Sequence, residues 1–308
     1  VSATTLPPTP SPTPERRSIL ESSRKVKGRK ARNGLATALI LFCVALAFVP
    51  LVLVIIFVIN KGGDIFSWDF LTSNIPIVSQ QAGGGMYPAV VGTLIITGTA
   101  ALLAIPLGIL GGIYLNEYGG NGWLARVIRF MAEVMTGVPS VVMGLFIYTV
   151  FVLRYKQQTG LAGALALACL MLPIVIRTTD EMLRLVPNDL REGSFALGSR
   201  KVRTIRTVVL PHAMPGIVSG ALLAVARAAG ETAPLLFTIG ITSTPNWNPF
   251  SGTNTTLSVQ IFNNANSPFT AALERGYGAA LTLVLLVFIA TALARIVTAI
   301  YARRATGA

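Results

Sequence analysis

The chain has 308 residues, of which 53% are hydrophobic and 12% charged, about half the charged share of an ordinary soluble domain. That composition excludes a soluble enzyme and implies membrane spans, where 29 Gly and 18 Pro are tolerated because neighbouring helices re-satisfy freed backbone groups. Cys43 and Cys169 lie in apolar runs and His212 is the single histidine, which leaves no disulfide framework and no metal or histidine-based site.

Residues 1–34 divide into a stretch carrying Pro7, Pro8, Pro10, Pro12 and Pro14 and a basic stretch from Arg16 to Arg32. Neither can bury a core, so both are expected to be a disordered tail. The run from Leu35 to Ile59 has 25 uncharged residues, longer than the roughly 7 to 15 of a signal-peptide core, and is expected to span and stay. Further windows long enough to cross the hydrocarbon lie at 87–115, 134–153, 214–241 and 277–300. A shorter one, 161–177, spans if it extends past Arg177. The expectation is an all-α, polytopic fold with six transmembrane helices. With the N-terminus inside, the inner segments hold 19 Lys and Arg and the outer segments four, Lys61, Arg154, Lys156 and Arg275. The asymmetry predicts a multi-pass cell-membrane protein with both termini cytoplasmic. Most of the +13 net charge is then topology, and no nucleic-acid partner is expected.

Two stripes of small residues favour close helix contact, Gly108 with Gly112, and Gly216, Gly220, Ala224 and Ala228. A partner subunit and packing within the chain are both open as their use.

The inner loop 178–212 is too long for a tether. Asp189 followed three residues later by Glu192 has capping-box-like spacing, with Leu190, Ala196 and Leu197 on the apolar side and Gly198 ending the helix. A basic segment, Ser199 to Arg206, follows, and Leu210-Pro211 closes the loop. Such a helix on the cytoplasmic face is a place where a soluble partner could push.

Charges inside spans are costly. Arg227 lies 13 residues into the window 214–241, roughly 20 Å along at about 1.5 Å per residue. A central Arg carries an insertion penalty of about 2.5 to 3.5 kcal/mol and should face the bundle interior, a partner or a substrate. Glu231 follows four residues later on the same expected helical face. Two readings are open, an intrahelical ion pair that only neutralises, and a guanidinium held by Glu231 between transport events and offered to an anion during them. Pro234 removes the hydrogen bond to the Gly230 carbonyl and weakens the helix beside the pair, making Gly230 and Pro234 a hinge. Arg177, ending the fourth span, is either a snorkelling interfacial residue or a pathway residue. Glu133 is read as interfacial, and His212 is assigned no chemistry.

Glu192-Gly193-Ser194, Gly198 and Leu210-Pro211 resemble the EAA loop of importer-type ABC permeases, whose pattern is Glu-Ala-Ala, three residues, Gly and a later Leu-Pro. The departures, Gly193 and Ser194, are still small. The stretch Arg227-Ala-Ala-Gly230-Glu231-Thr232-Ala-Pro234 is similar to the phosphate-specific permeases, and the similarity runs from about Tyr87 to Ile300. The resemblance implies a type I ABC importer permease, paired with a homologous sister permease, a cytoplasmic ATPase dimer and an external phosphate-binding protein. It further implies a substrate path at Arg227, Glu231, Arg177 and Thr232, and ATPase coupling through Asp189, Glu192, Gly193, Ser194, Gly198, Leu210 and Pro211. No Gly-x-x-x-x-Gly-Lys-Ser/Thr occurs in the sequence, so ATP-Mg is expected on the partner ATPase and no cofactor on this chain. The alternatives are a permease for another tetrahedral oxyanion and a proton-coupled secondary anion transporter using Glu231. The inverted repeat common in the latter is not visible.

Overall fold

A computed structural model describes residues 23–305, and every regular element among them is helical. Helix α1, Ser23–Gly63, begins in one unit that ends at Phe57, and the remaining helices belong to a second unit that starts at Val58.

In the first unit the α1 side chains from Leu35 to Phe57 are apolar or small on every side, and all but Val52 are exposed. A helix hydrophobic all round and exposed along this length suits lipid. The expected disorder of residues 1–34 lies outside the described residues as far as residue 22. From Ser23 onward it is corrected, because the backbone is already helical there. Lys, Arg and Ala are good helix formers, and extending a long helix needs no new nucleus.

The second unit contains α2 (Trp68–Thr72), α3 (Tyr87–Tyr118), α4 (Trp123–Gly137), α5 (Ser140–Tyr155), α6 (Gly160–Arg184), α7 (Asn188–Ala196), α8 (Lys201–Ala229), α9 (Leu235–Thr238), α10 (Leu257–Ala265) and α11 (Thr270–Ala305). Among the described residues five helices are long and apolar enough to cross a membrane, and α4 with α5 makes a sixth crossing if counted as one span, bent by 106°.

The core forms where α3 and α6 lie side by side. Ile96, Ala100 and Ala104 meet Ala164, Leu167, Met171 and Val175, and Ala224 and Ala228 of α8 close the third side. Small residues set the spacing: a Cβ on Gly108 or Gly112 would lie 2.6 or 2.5 Å from Val175 or Thr179, and one on Gly216 or Gly220 would lie 2.2 or 2.5 Å from Met182 or Thr178. Both stripes are therefore filled by α6 of the same chain, which decides between the two uses the sequence left open.

Three expected spans are corrected. The continuous helix over 134–153 breaks between α4 and α5, where Val138 and Pro139 are extended (ψ 129° and 136°). Pro139 has no N–H to continue the ladder and disfavours a helical residue before it. The continuous helix over 214–241 stops at Ala229, and the chain unwinds to Pro234 before the short α9. The short fourth span, 161–177, grows to Gly160–Arg184, begun by a Thr159 side chain that accepts from the Ala162 N–H at 3.3 Å.

The loop expected over 178–212 shrinks accordingly to residues 185–200, which contain α7. Leu210-Pro211 does not close a loop; it sits inside α8, just after a π-turn at Ile205–Val209 in which the Leu210 N–H reaches the Ile205 carbonyl. The wider turn accommodates a proline that would break a regular helix. Opposite the basic end, the segment 239–256 folds over the start of α6. Asn254 Oδ1 accepts from the Gly160 N–H at 3.1 Å and its Nδ2 donates to the Asn246 carbonyl at 2.8 Å. Asn254, Thr255 and Thr256, which have the Asn-x-Thr pattern of glycosylation acceptors, are all buried.

Candidate functional site

The interruptions in α4/α5 and α8/α9 face each other. At the end of α8 the N–H groups of Gly230 and Glu231 turn back to the Arg227 and Ala228 carbonyls, both at 3.2 Å, tightening the last turn. The following backbone is fastened elsewhere: Ser258 Oγ donates to the Glu231 carbonyl at 2.9 Å, and the Thr232 carbonyl accepts from Leu235 and Leu236. Gly144 of α5 lies against Pro234, where a Cβ would come 2.5 Å from the proline Cα. A cleft opens beside this contact. Thr136, Pro139 and Ser140 line one wall, Met171 and Ile174 the second, and Arg227 and Glu231 the third. Met171 and Ile174 stand about halfway along α6, so the cleft is level with the middle of the bundle.

Arg227 Nε lies 3.7 Å from Glu231 Oε1, with the two side chains 71% and 21% exposed. The shared helical face expected for the two residues is corrected: Arg227 is on the last turn of α8, while Glu231 hangs from unwound backbone. At that distance the carboxylate only partly satisfies the guanidinium, and among the described residues the Arg227 side chain makes no hydrogen bond. Its planar fork is open to the cleft side. Gly230 and Pro234, expected as a weakened hinge, bound a complete break.

Arg177 and Thr232 are not brought to this cleft. Arg177 donates from Nε to Glu181 Oε1 at 3.0 Å and belongs to a second cleft with Glu133, Arg129, Asp180 and Arg184. The two clefts follow one another along α4 and α6, from Glu133 to Thr136 and from Arg177 to Ile174. Glu133 is thus a cleft residue. Thr232 contributes its backbone carbonyl to the start of α9.

In the segment 185–200 the expected capping box is corrected. Pro187 (φ −56°, ψ 140°) precedes the helix and Asp189 lies inside its first turn, making no side-chain cap. It still favours the positive end of the helix dipole. Glu192 and Gly193 are exposed, and Ser194 Oγ is 2.9 Å from Thr204 Oγ1. Gly198 ends α7 as expected, at φ +77°, with its N–H on the Phe195 carbonyl and the Ser199 N–H on the Ser194 carbonyl. That pair of bonds is a Schellman stop, which strongly favours glycine. Leu190, Phe195 and Leu197 are left exposed, Leu197 by 88%. Leu210 packs with Leu183, Val209 and Ala213 between α6 and α8, and Pro211 and His212 are exposed.

Sequence reasoning missed a largely buried ion pair, Arg191 Nη2 to Glu117 Oε1 at 3.0 Å, with side chains 15% and 8% exposed. The partners are 74 residues apart, so no local spacing announces them. The only signal is a lone acid at the end of a long apolar run.

Residues 104–307 match the family of binding-protein-dependent transport system inner membrane components. The chain is 42% identical over 267 residues to the phosphate transport system permease protein PstA 1 of Mycobacterium tuberculosis (strain CDC 1551 / Oshkosh), covering 84% of this chain and 86% of that one. It is 40% identical over 287 residues to the phosphate transport system permease protein PstA of Yersinia pestis, covering 91% and 95%. Its fold is similar to that of an inward-facing MetNI methionine ABC transporter chain, with a TM-score of 0.55 at 18% identity over 70% of this chain and 94% of that chain. A polytopic helical bundle with two interrupted spans, a short helix at its basic end and these relatives has one placement: the chain belongs to the binding-protein-dependent transport system inner membrane component family, and within it is PstA-like.

Proposed function

We propose that this chain is one of two permease subunits of an ATP-driven importer of inorganic phosphate. The observation that carries the reading is Arg227, a guanidinium 71% exposed at the middle of a membrane bundle, loosely held by Glu231 in a cleft made by two helix breaks. Against lipid such a cation costs about 2.5 to 3.5 kcal/mol. An aqueous path closed by a sister permease removes that cost, and the planar fork matches the oxygens of a tetrahedral anion. Phosphate as the substrate is supported by the names of relatives that are about 40% identical over most of the chain.

Arg227 and Glu231 are assigned to the path, with Arg177 in the second cleft as its continuation toward the cytoplasm and Thr232 in the unwound segment beside Glu231. The helix α7 with Gly198 is assigned to a cytoplasmic ATPase dimer carrying ATP-Mg, because its bare Leu190, Phe195 and Leu197 at the basic end offer an apolar docking face. Both termini are then cytoplasmic, and an external phosphate-binding protein delivers the anion at the opposite end. Phosphate uptake into vesicles holding the whole complex tests the reading. It requires uptake that depends on ATP and survives a protonophore; loss with the proton gradient alone would favour a secondary transporter. Competition by sulfate or molybdate at equal concentration would assign another oxyanion.

A further inference from the structure

The last turn of α3, Tyr114–Tyr118, is a π-turn, a feature frequent at functional sites. Four ties, one from each of four other elements, converge on it. Arg191 of α7 donates to Glu117 Oε1 at 3.0 Å, and also to the Leu183 and Val186 carbonyls at 2.9 and 2.6 Å. Lys201, at the start of α8, bonds the Glu117 carbonyl and stands 4.7 Å over the Tyr118 ring. Asn116 reaches Asp180 of α6, with its Nδ2 3.5 Å from Oδ1. Arg129 of α4 donates to the Leu115 carbonyl at 3.0 Å and lies 3.8 Å from Asp180 Oδ2. Two turns further along, the same α4 supplies Thr136 to the wall of the Arg227 cleft.

The Glu117 to Arg191 pair is largely buried, and the several kcal/mol per ion that taking charges from water costs is repaid only where geometry and hydrogen bonding are good. The carbonyls of Leu183 and Val186 and Asn188 Oδ1 add to the guanidinium's shell. Surface ion pairs give way easily; this one holds α7 to α3 in a single geometry.

We propose that the π-turn Tyr114–Tyr118 is the joint that carries displacement of α7 to the α4 wall of the Arg227 cleft, with Glu117 and Arg191 as its fastening; the proposal rests on the reading of the chain as an ATP-driven permease. A push on α7 moves Glu117, and with it the Leu115 carbonyl to which Arg129 is bonded. Glu117 is a positioning residue: it touches neither ATP nor the anion.

The test uses the complete complex in proteoliposomes and reads phosphate accumulated per ATP hydrolysed. Glu117→Ala frees α7 from the π-turn while Arg191 keeps its bonds to the Leu183 and Val186 carbonyls. ATPase copurification and hydrolysis should stay within about twofold of wild type, while phosphate per ATP falls about fivefold or more, the low end of a typical coupling between sites. Glu117→Gln keeps an acceptor for Arg191, serves if the alanine variant fails to reach the membrane, and should give a ratio between the two. An unchanged ratio in either variant overturns the joint, as does a parallel loss of copurification and hydrolysis at constant ratio, which marks a docking role only. A wild-type complex that hydrolyses ATP without taking up phosphate overturns the transport reading instead.

Discussion

Arg227 and Glu231 are four residues apart, yet one closes a helix and the other follows its end, and their 3.7 Å separation leaves the guanidinium 71% exposed. An exposed, loosely held pair contributes about 0 to 1 kcal/mol, so its role is not to hold the bundle together.

Arg227→Leu should therefore reach the membrane in near wild-type amounts and lose phosphate uptake. Arg227→Lys keeps the charge but not the planar fork, and should also be severely defective. The double change Arg227→Leu with Glu231→Met separates path from structure, because it removes both charges together. Uptake and membrane abundance are measured in parallel, and near-normal uptake in the double variant would show that the pair serves structure alone.

Gly144 tests whether the two helix breaks act as a unit. A Cβ there would meet Pro234 Cα at 2.5 Å, and backbone cannot step aside as a flexible side chain does. Gly144→Leu should destabilise the bundle by about 1 to 3 kcal/mol through overpacking. A fall in the melting temperature of the detergent-solubilised protein, larger for Leu than for Ala, is the expected reading. Equal melting temperatures for the three proteins would mean that α5 and the Pro234 segment do not touch.

Hydropathy made the membrane class and most spans legible, because long apolar runs have no soluble explanation. It hid the breaks. Val138-Pro139 lies in sequence as apolar as the helices around it, Gly230 to Pro234 carries one charge inside an otherwise apolar window, and a transmembrane proline is compatible with a kink, a π-turn or a full stop. Pro173 stays inside α6 and Pro211 inside α8, whereas Pro139 ends up between two helices. Charge misled in the opposite sense: Asp180, Glu181 and Arg184 were counted as loop, yet they are the last turns of α6, neutralised by one another and by Arg177 and Arg129. Gly198 was readable because an αL stop needs only local chemistry, while Glu117 with Arg191 was not, since only the fold brings them together.

Gly198→Ala and Gly198→Leu probe the α7 stop. At φ +77° a side chain costs roughly 1 to 2 kcal/mol, although a Cβ would meet nothing within 4 Å. Strain without a clash predicts similar effects for both variants: α7 frays, Leu197 shifts, and ATPase copurification falls while insertion continues. A defect confined to Leu would point to contact with the ATPase at this position rather than to the turn.

Asn254 is the last test, and it concerns the end of the bundle opposite the basic face. It is 1% exposed, accepts from the Gly160 N–H at the start of α6 and donates to the Asn246 carbonyl. Asn254→Ala leaves a buried N–H and a carbonyl without their partner, a loss of about 1 to 3 kcal/mol. Asn254→Asp keeps the acceptor for Gly160 but loses the donor, and adds a charge that burial disfavours. Alanine should thus lower the melting temperature, and aspartate should fall further at neutral pH than at a pH low enough to protonate it. Hydrogen exchange resolves where the loss acts, with faster exchange expected at Gly160 to Ala162 and unchanged exchange in α7. Unaltered protection at Gly160 in the alanine variant would mean that α6 is capped by something other than this asparagine.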